Sequence, residues 1–251
     1  MRSVQKMNRQ ILALTFGLVI GSIAGLLSLT PALAQTRDLG EIHGLKLGLE
    51  AEDMETEGWG EFACGSNGGP PRQVIEDWRD FKKCRPEANG IYEVYVRFDD
   101  QTEYVGRAVD DPTIATNRTG TRIAGHPVVL SALFDKDGIL QVIRFVTDPR
   151  GDPTARRVAY LLRLVVINRY DPADWTCKDI PPAEGESPVG GIFLNSHCEK
   201  SLDPNRSIVV DGKFFRKPGQ SDIDPVTREY KPGQFESSTR VEIYNPAIRK
   251  P

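Results

Sequence analysis

Four cysteines restrict the folds open to this chain of 251 residues. They form two local groups, Cys64 with Cys84 and Cys177 with Cys198, which lie far apart along the sequence. Four cysteines allow three disulfide pairings, and the spacing favours the two local ones. Because Cys64 lies among small, turn-forming residues (EFACGSNGGPP), a nucleophile, a metal ligand and half of a disulfide are the alternatives at this position.

The N-terminus has the pattern of a secretory signal peptide. A basic segment without acids precedes an uncharged apolar run over 11–29, and residues 32–34 form an A-x-A site. We predict a signal peptide over 1–34, cleavage between Ala34 and Gln35, and a periplasmic or secreted protein. The apolar run is also near the lower length limit of a membrane-spanning helix, so an uncleaved N-terminal membrane anchor is the alternative.

Export to an oxidising compartment favours disulfides over other roles for the cysteines, and we predict the pairs Cys64–Cys84 and Cys177–Cys198. A zinc site typically uses closely spaced C-x₂₋₄-C pairs, which this sequence lacks. A catalytic thiol needs a basic group beside it. His197 adjoins Cys198, but the side chains of adjacent residues point in different directions. The cysteines therefore predict no metal site and no catalytic thiol.

The charge of the chain excludes some partners. The formal net charge is −3, and loss of the basic leader would make the mature chain more acidic. Nucleic acids and anionic lipids attract clustered Lys and Arg rather than an acidic surface. We therefore predict no nucleic-acid partner, no stable membrane insertion after cleavage, and a protein or an envelope component as the possible partner.

Hydrophobic periodicity predicts an α+β fold, an antiparallel sheet of hairpins with two helices. One main packed helix is predicted over about 154–170, with Leu161, Leu164 and Val165 in the core. A shorter amphipathic helix is predicted over about 71–84.

Alternation of apolar and polar residues predicts a strand at 92–98. At 126–147, runs that are apolar on both faces flank an Asp-Lys-Asp-Gly turn and predict a hairpin in the centre of the sheet. Hairpins are expected at 91–108, 126–147 and 207–216, the last with its turn at an Asp-Gly pair, and a final strand at 239–244.

The C-terminal third changes in composition. Residues 171–206 are rich in Pro, Gly and Asp, which is typical of loops, and two of the cysteines would tie them together. We therefore predict three segments: the signal peptide, an α+β core over 35–170, and a loop-rich, disulfide-tied β extension over 171–251 that packs on the core.

One short motif carries a family resemblance. GLKLGLEAEDMETEGW, residues 44–59, resembles the opening of small envelope proteins of the outer-membrane assembly lipoprotein family, through Gly44, Gly48 and Leu49. The resemblance implies a helix that begins at this motif and packs on a small antiparallel sheet. More broadly, the chain is similar to exported bacterial proteins of unassigned function, which implies an envelope location without a mechanism.

Two hypotheses of function follow. The sequence contains no G-x-S-x-G, H-E-x-x-H, Walker or dinucleotide-binding motif and indicates no cofactor. This favours a non-catalytic binding or structural module. The alternative is a small periplasmic hydrolase with an acidic site built from loop aspartates such as Asp99, Asp100, Asp148 and Asp152. Convergence of these carboxylates in one concave pocket would favour the hydrolase.

Overall fold

A computed structural model describes part of the chain, and all of the described residues lie in one compact unit, Thr36–Pro251. The described residues are 42, 44–98, 121–221, 223, 226–229 and 234–249. The signal peptide with its cleavage site, Asp99 and Asp100, and the second strand of the hairpin at 91–108 lie outside them.

The described residues form one antiparallel sheet. Its strands are β1 Trp59–Cys64, β2 Tyr92–Phe98, β3 Arg122–Ile123, β4 His126–Phe134, β5 Leu140–Thr147, β6 Thr176–Asp179, β7 Leu194–Asp203, β8 Arg206–Phe215 and β9 Glu236–Tyr244. Their order is β1-β2-β4-β5-β9-β8-β7-β6, and β3 pairs with β4. Since β9 lies between β5 and β8, one sheet contains strands from both halves of the chain.

Helices are few and short in the part of the chain that the structure describes. Two α-helices, α1 Pro153–Arg157 and α2 Leu162–Arg169, are accompanied by 3₁₀ turns at Ala51–Asp53, Trp78–Lys83, Ala159–Leu161 and Pro246–Arg249. A mostly antiparallel sheet with few helices is compatible with the predicted α+β class. The segment 44–59 forms turns and one 3₁₀ turn, where the resemblance implies a helix.

The apolar core lies on one face of the sheet. Facing positions of five neighbouring strands are fully apolar across the register, at Val94, Ala132, Ile143, Ile243 and Ile208. Each of these residues is 0% exposed. The 3₁₀ turn with Trp78 and the helix α2 cover this face and close the core.

The main helix predicted over 154–170 is broken. The chain leaves helical geometry at Val158, and a 3₁₀ turn separates α1 from α2. A 3₁₀ turn rotates successive side chains by more than an α-helix does, so it changes which residues of α2 face the sheet. Leu162 is therefore buried, whereas Leu164 and Val165 are 47% and 39% exposed, and their predicted places in the core were wrong.

The shorter helix predicted over 71–84 is present only as the 3₁₀ turn Trp78–Lys83. The segment before it is extended along the free edge of β1. Cys64 N–H donates to the Gln73 carbonyl at 2.7 Å, and Ile75 N–H donates to the Phe62 carbonyl at 3.1 Å. Pairing satisfies the backbone groups of an edge strand, which outweighs the helical pattern of the side chains.

The C-terminal third contains more strand than the composition suggests. Residues 171–206 include all of β6 and β7, and β8 continues through Gly212, where the sequence predicted a turn. Pairing with β7 on one side and β9 on the other satisfies both edges of β8. Gly212 is needed for space: a Cβ atom there would lie 2.5 Å from Cδ of Arg163 on α2.

The structure contains both predicted disulfides, Cys64–Cys84 and Cys177–Cys198, and no cysteine is free. The first joins the end of β1 to the residue that follows the 3₁₀ turn of Trp78, and both of its cysteines are buried. It therefore links the 3₁₀ turn that covers the core covalently to the edge of the sheet.

We expect the double variant Cys64→Ala/Cys84→Ala to unfold with a free energy about 3 kcal/mol below that of the wild type. The disulfide joins cysteines 20 residues apart in sequence, and without it the unfolded chain gains conformational entropy. Urea denaturation without reductant measures the difference. The wild type with its Cys64–Cys84 disulfide intact is the reference. A change below about 0.5 kcal/mol, the range of ordinary surface substitutions, would contradict the stabilising role of this disulfide.

Candidate ligand-binding cavity

The sheet face opposite the apolar core carries a buried network of charges. Arg144 of β5 donates from Nε to Glu242 at 2.7 Å and from Nη1 to Glu87 at 2.6 Å, and its Nη1 lies 3.3 Å from Glu93. The side chains of Arg144 and Glu93 are 5% and 4% exposed. Three carboxylates thus surround one buried guanidinium, and of the three only Glu87 has substantial contact with water, at 26% exposed.

Burial and pairing act in opposite directions on these groups. Desolvation alone would lower the pKa of Arg144, but its hydrogen bond to Glu87 and the charges of Glu93 and Glu242 raise it. Desolvation alone would raise the pKa of Glu242, but Arg144 and Arg240 hold it below its ordinary value. Both groups therefore stay charged, and the network is a structural ion cluster.

The GSNGGPP loop, residues 65–71, covers this network of charges. The N–H groups of Asn67 and Gly68 donate to the two carboxylate oxygens of Glu93, at 2.5 and 3.3 Å. Arg240 donates to the backbone oxygen of Asn67 at 2.9 Å and to its side-chain oxygen at 2.6 Å. Gly68 has a φ of +81°, and a Cβ there would lie 2.4 Å from Cγ2 of Val146. Gly68 thus permits the loop to approach the sheet closely. These four hydrogen bonds anchor the loop together with a fifth, from the N–H of Gly65 to the Glu93 carbonyl at 2.9 Å.

A cavity of about 390 Å³ lies beside this loop, where β5 and β9 separate. The last paired residues of the two strands are Val146 and Arg240, and residues of α1 line the cavity next to this end of the pairing. The apolar part of the wall is formed by Val146, Pro149, Pro153, Ala159 and Phe235. The cavity therefore offers an apolar surface next to the end of a sheet.

The polar part of the wall is unequally paired. Asp148 is held by Arg150 at 2.8 Å, and Glu236 is paired with Lys217. Arg156 and Arg157, exposed on α1, form no ion pair within the described part of the chain. Each of these two carboxylates thus has a cationic partner, whereas neither arginine has an anionic partner among the described residues.

Of the predicted aspartates the structure describes Asp148 and Asp152, and it does not bring these two together in this cavity. Asp148 lines it, but Asp152 caps α1, where its side chain accepts from the N–H groups of Thr154 and Ala155 at 2.9 and 3.0 Å. Sequence reasoning missed Arg156 and Arg157. The only signal for them was two adjacent cations within the first turns after an Asp-Pro helix start.

Within the described ranges, no three His, Cys, Asp or Glu side chains are grouped as a metal site would require. None of the helices described is long and apolar enough to cross a membrane. Two disulfides are typical of an extracytoplasmic protein.

Comparison with known proteins adds no relative. No family model matches the chain, and no curated protein or solved structure is significantly similar to it.

Proposed function

We propose that this chain is an exported, non-catalytic binding module of the bacterial cell envelope, and that its cavity binds a ligand with an apolar body and an acidic group. The observation that carries the proposal is the unequal pairing of charge in the wall. Arg156 and Arg157 have no ion-pair partner among the described residues, whereas Asp148 and Glu236 each have one.

The dimensions and chemistry of the cavity support a small or partly inserted ligand. Its volume of about 390 Å³ falls within the range of roughly 300–1,000 Å³ that is usual for ligand pockets. Apolar walls contribute affinity by removing hydrocarbon surface from water. A guanidinium presents its N–H groups in a planar fork that fits a carboxylate or phosphate with two hydrogen bonds. A protein or envelope component with an exposed acidic group has the matching chemistry.

We expect 1-anilinonaphthalene-8-sulfonate, an apolar probe with one anionic group, to bind the folded protein with one-to-one stoichiometry. The double variant Arg156→Gln/Arg157→Gln should bind it at least about tenfold more weakly, because a hydrogen bond to a charged group contributes about 1.5–3 kcal/mol. Fluorescence titration and calorimetry measure the dissociation constant.

Two controls separate this site from general attraction of an anion. The variant Arg85→Gln/Lys178→Gln removes the same charge at exposed positions away from α1 and should bind the probe as the wild type does. The neutral analogue N-phenyl-1-naphthylamine should bind wild type and cavity variant equally. Equal binding of the sulfonate to both proteins would reject the proposed site.

A further inference from the structure

We propose that the Cys177–Cys198 disulfide is a site of thiol–disulfide exchange, at which an external thiol forms a mixed disulfide with Cys177 and displaces Cys198 as a thiolate. This reactivity is independent of the cavity. It rests on the different surroundings of the two sulfurs and on a cation beside one of them.

The two halves of this bond differ in access to solvent. Cys177 lies on β6, where every residue is exposed, whereas Cys198 on β7 is 0% exposed. In the other disulfide, Cys64 and Cys84 are 6% and 4% exposed. Exchange requires direct contact between the attacking sulfur and a disulfide sulfur, so Cys177 is the accessible target.

The position of the bond leaves the direction of attack open. Cys177 and Cys198 are directly opposite each other in the register of β6 and β7, with 4.0 Å between their Cα atoms. β6 is the end strand in the observed order of the sheet. A line from Cys198 through Cys177 therefore continues off the sheet edge, which is the direction from which a thiolate displaces Cys198.

The guanidinium of Arg163 contacts Sγ of Cys198, the leaving group of the proposed exchange. Nη2 of Arg163 on α2 donates to Sγ of Cys198 at 3.3 Å. Arg163 is half-buried and has no carboxylate partner among the residues described, and its buried Nε atom has no hydrogen-bond partner there either. Gly212 gives this side chain its place, since a Cβ atom there would overlap the Arg163 stem. A neighbouring guanidinium favours the thiolate form of cysteine, and a stabilised thiolate leaves faster.

The reaction conserves atoms and electrons without another oxidant. The attacking thiolate forms a bond to Sγ of Cys177 while the Cys177–Cys198 bond breaks. The electron pair of the broken bond stays on Sγ of Cys198. A second thiolate of the same reductant can then displace Cys177. That step converts the reductant to its disulfide and leaves both cysteines of the protein reduced.

The first experiment locates the attack. The folded, oxidised protein is treated with glutathione at neutral pH, quenched with acid at short times, alkylated and mapped by mass spectrometry. We expect glutathione on Cys177, alkyl label on Cys198, and an intact Cys64–Cys84 pair. Glutathione on Cys198, or equal reduction of both disulfides, would overturn the proposal.

The second experiment tests Arg163 through the rate of reduction by dithiothreitol. Arg163→Gln should slow reduction of Cys177–Cys198 about three- to tenfold, because the leaving thiolate loses its cation. Arg163→Lys, which restores a positive charge, should recover part of the rate. If Arg163 only packed against the strands, its loss would loosen the site and leave the rate unchanged or higher. Either of those results would reject the role of the guanidinium.

Discussion

Replacement of Arg144 by methionine should lower the free energy of unfolding by about 3–5 kcal/mol, the usual cost of removing one partner from a buried ion pair. The variant keeps most of the side-chain volume but leaves Glu93 and Glu242 buried without this guanidinium. Urea denaturation at neutral pH measures the loss. Lys136→Met removes a solvent-exposed ion pair with Asp137 and should leave the unfolding midpoint unchanged.

The same variant should respond differently to acid. In the wild type the pKa of Glu242 is below its ordinary value, so this group stabilises the fold above the unfolded-state pKa, near 4.5. That contribution is lost as the pH falls through the lower, folded-state pKa. In Arg144→Met, protonation neutralises carboxylates that lack their cation, so the stability gap between the two proteins should narrow as the pH falls. A gap that stays constant or widens would contradict the proposed cluster.

We expect Leu162→Ala to lower the free energy of unfolding by about 2–5 kcal/mol, the usual range for a buried leucine. Leu162 is 0% exposed beneath α2, in the apolar core. The matched variant Leu164→Ala, two residues along the same helix, should change the free energy by no more than about 0.5 kcal/mol, because its side chain is 47% exposed. Urea denaturation compares the two. Similar losses in both variants, or a larger loss in Leu164→Ala, would contradict the observed orientation of α2.

The orientation of α2 illustrates a limit of periodicity. The sequence 154–170 is apolar enough that several helical faces fit the pattern, so the choice depended on unbroken α-helical geometry from Pro153 onward. The structure interrupts that geometry at Val158. Ser237 of β9 stabilises the interruption by accepting from the N–H of Tyr160 at 3.2 Å. The sequence places β9 far from this helix, and local periodicity does not contain that contact.

Local patterns were sufficient where each element is specified by its own residues. Alternation located β2, and apolar runs on both sides of a turn located β4 and β5. Gly138 closes that turn, since its N–H donates to the Asp135 carbonyl at 3.1 Å. The two disulfide pairs follow from sequence spacing because both bonds close short loops.

Tertiary structure decided the features that depend on contacts between distant segments. Gly212 looks like a turn residue until Arg163 is placed over it, and the GSNGGPP loop looks flexible until Glu93 and Arg240 hold it. The cavity likewise exists only because β5 and β9, far apart in sequence, pair as far as Val146 and then separate. A single sequence records the charge and size of these residues. The distances that join them into a network, a cavity or a reactive disulfide are fixed only when the sheet is assembled.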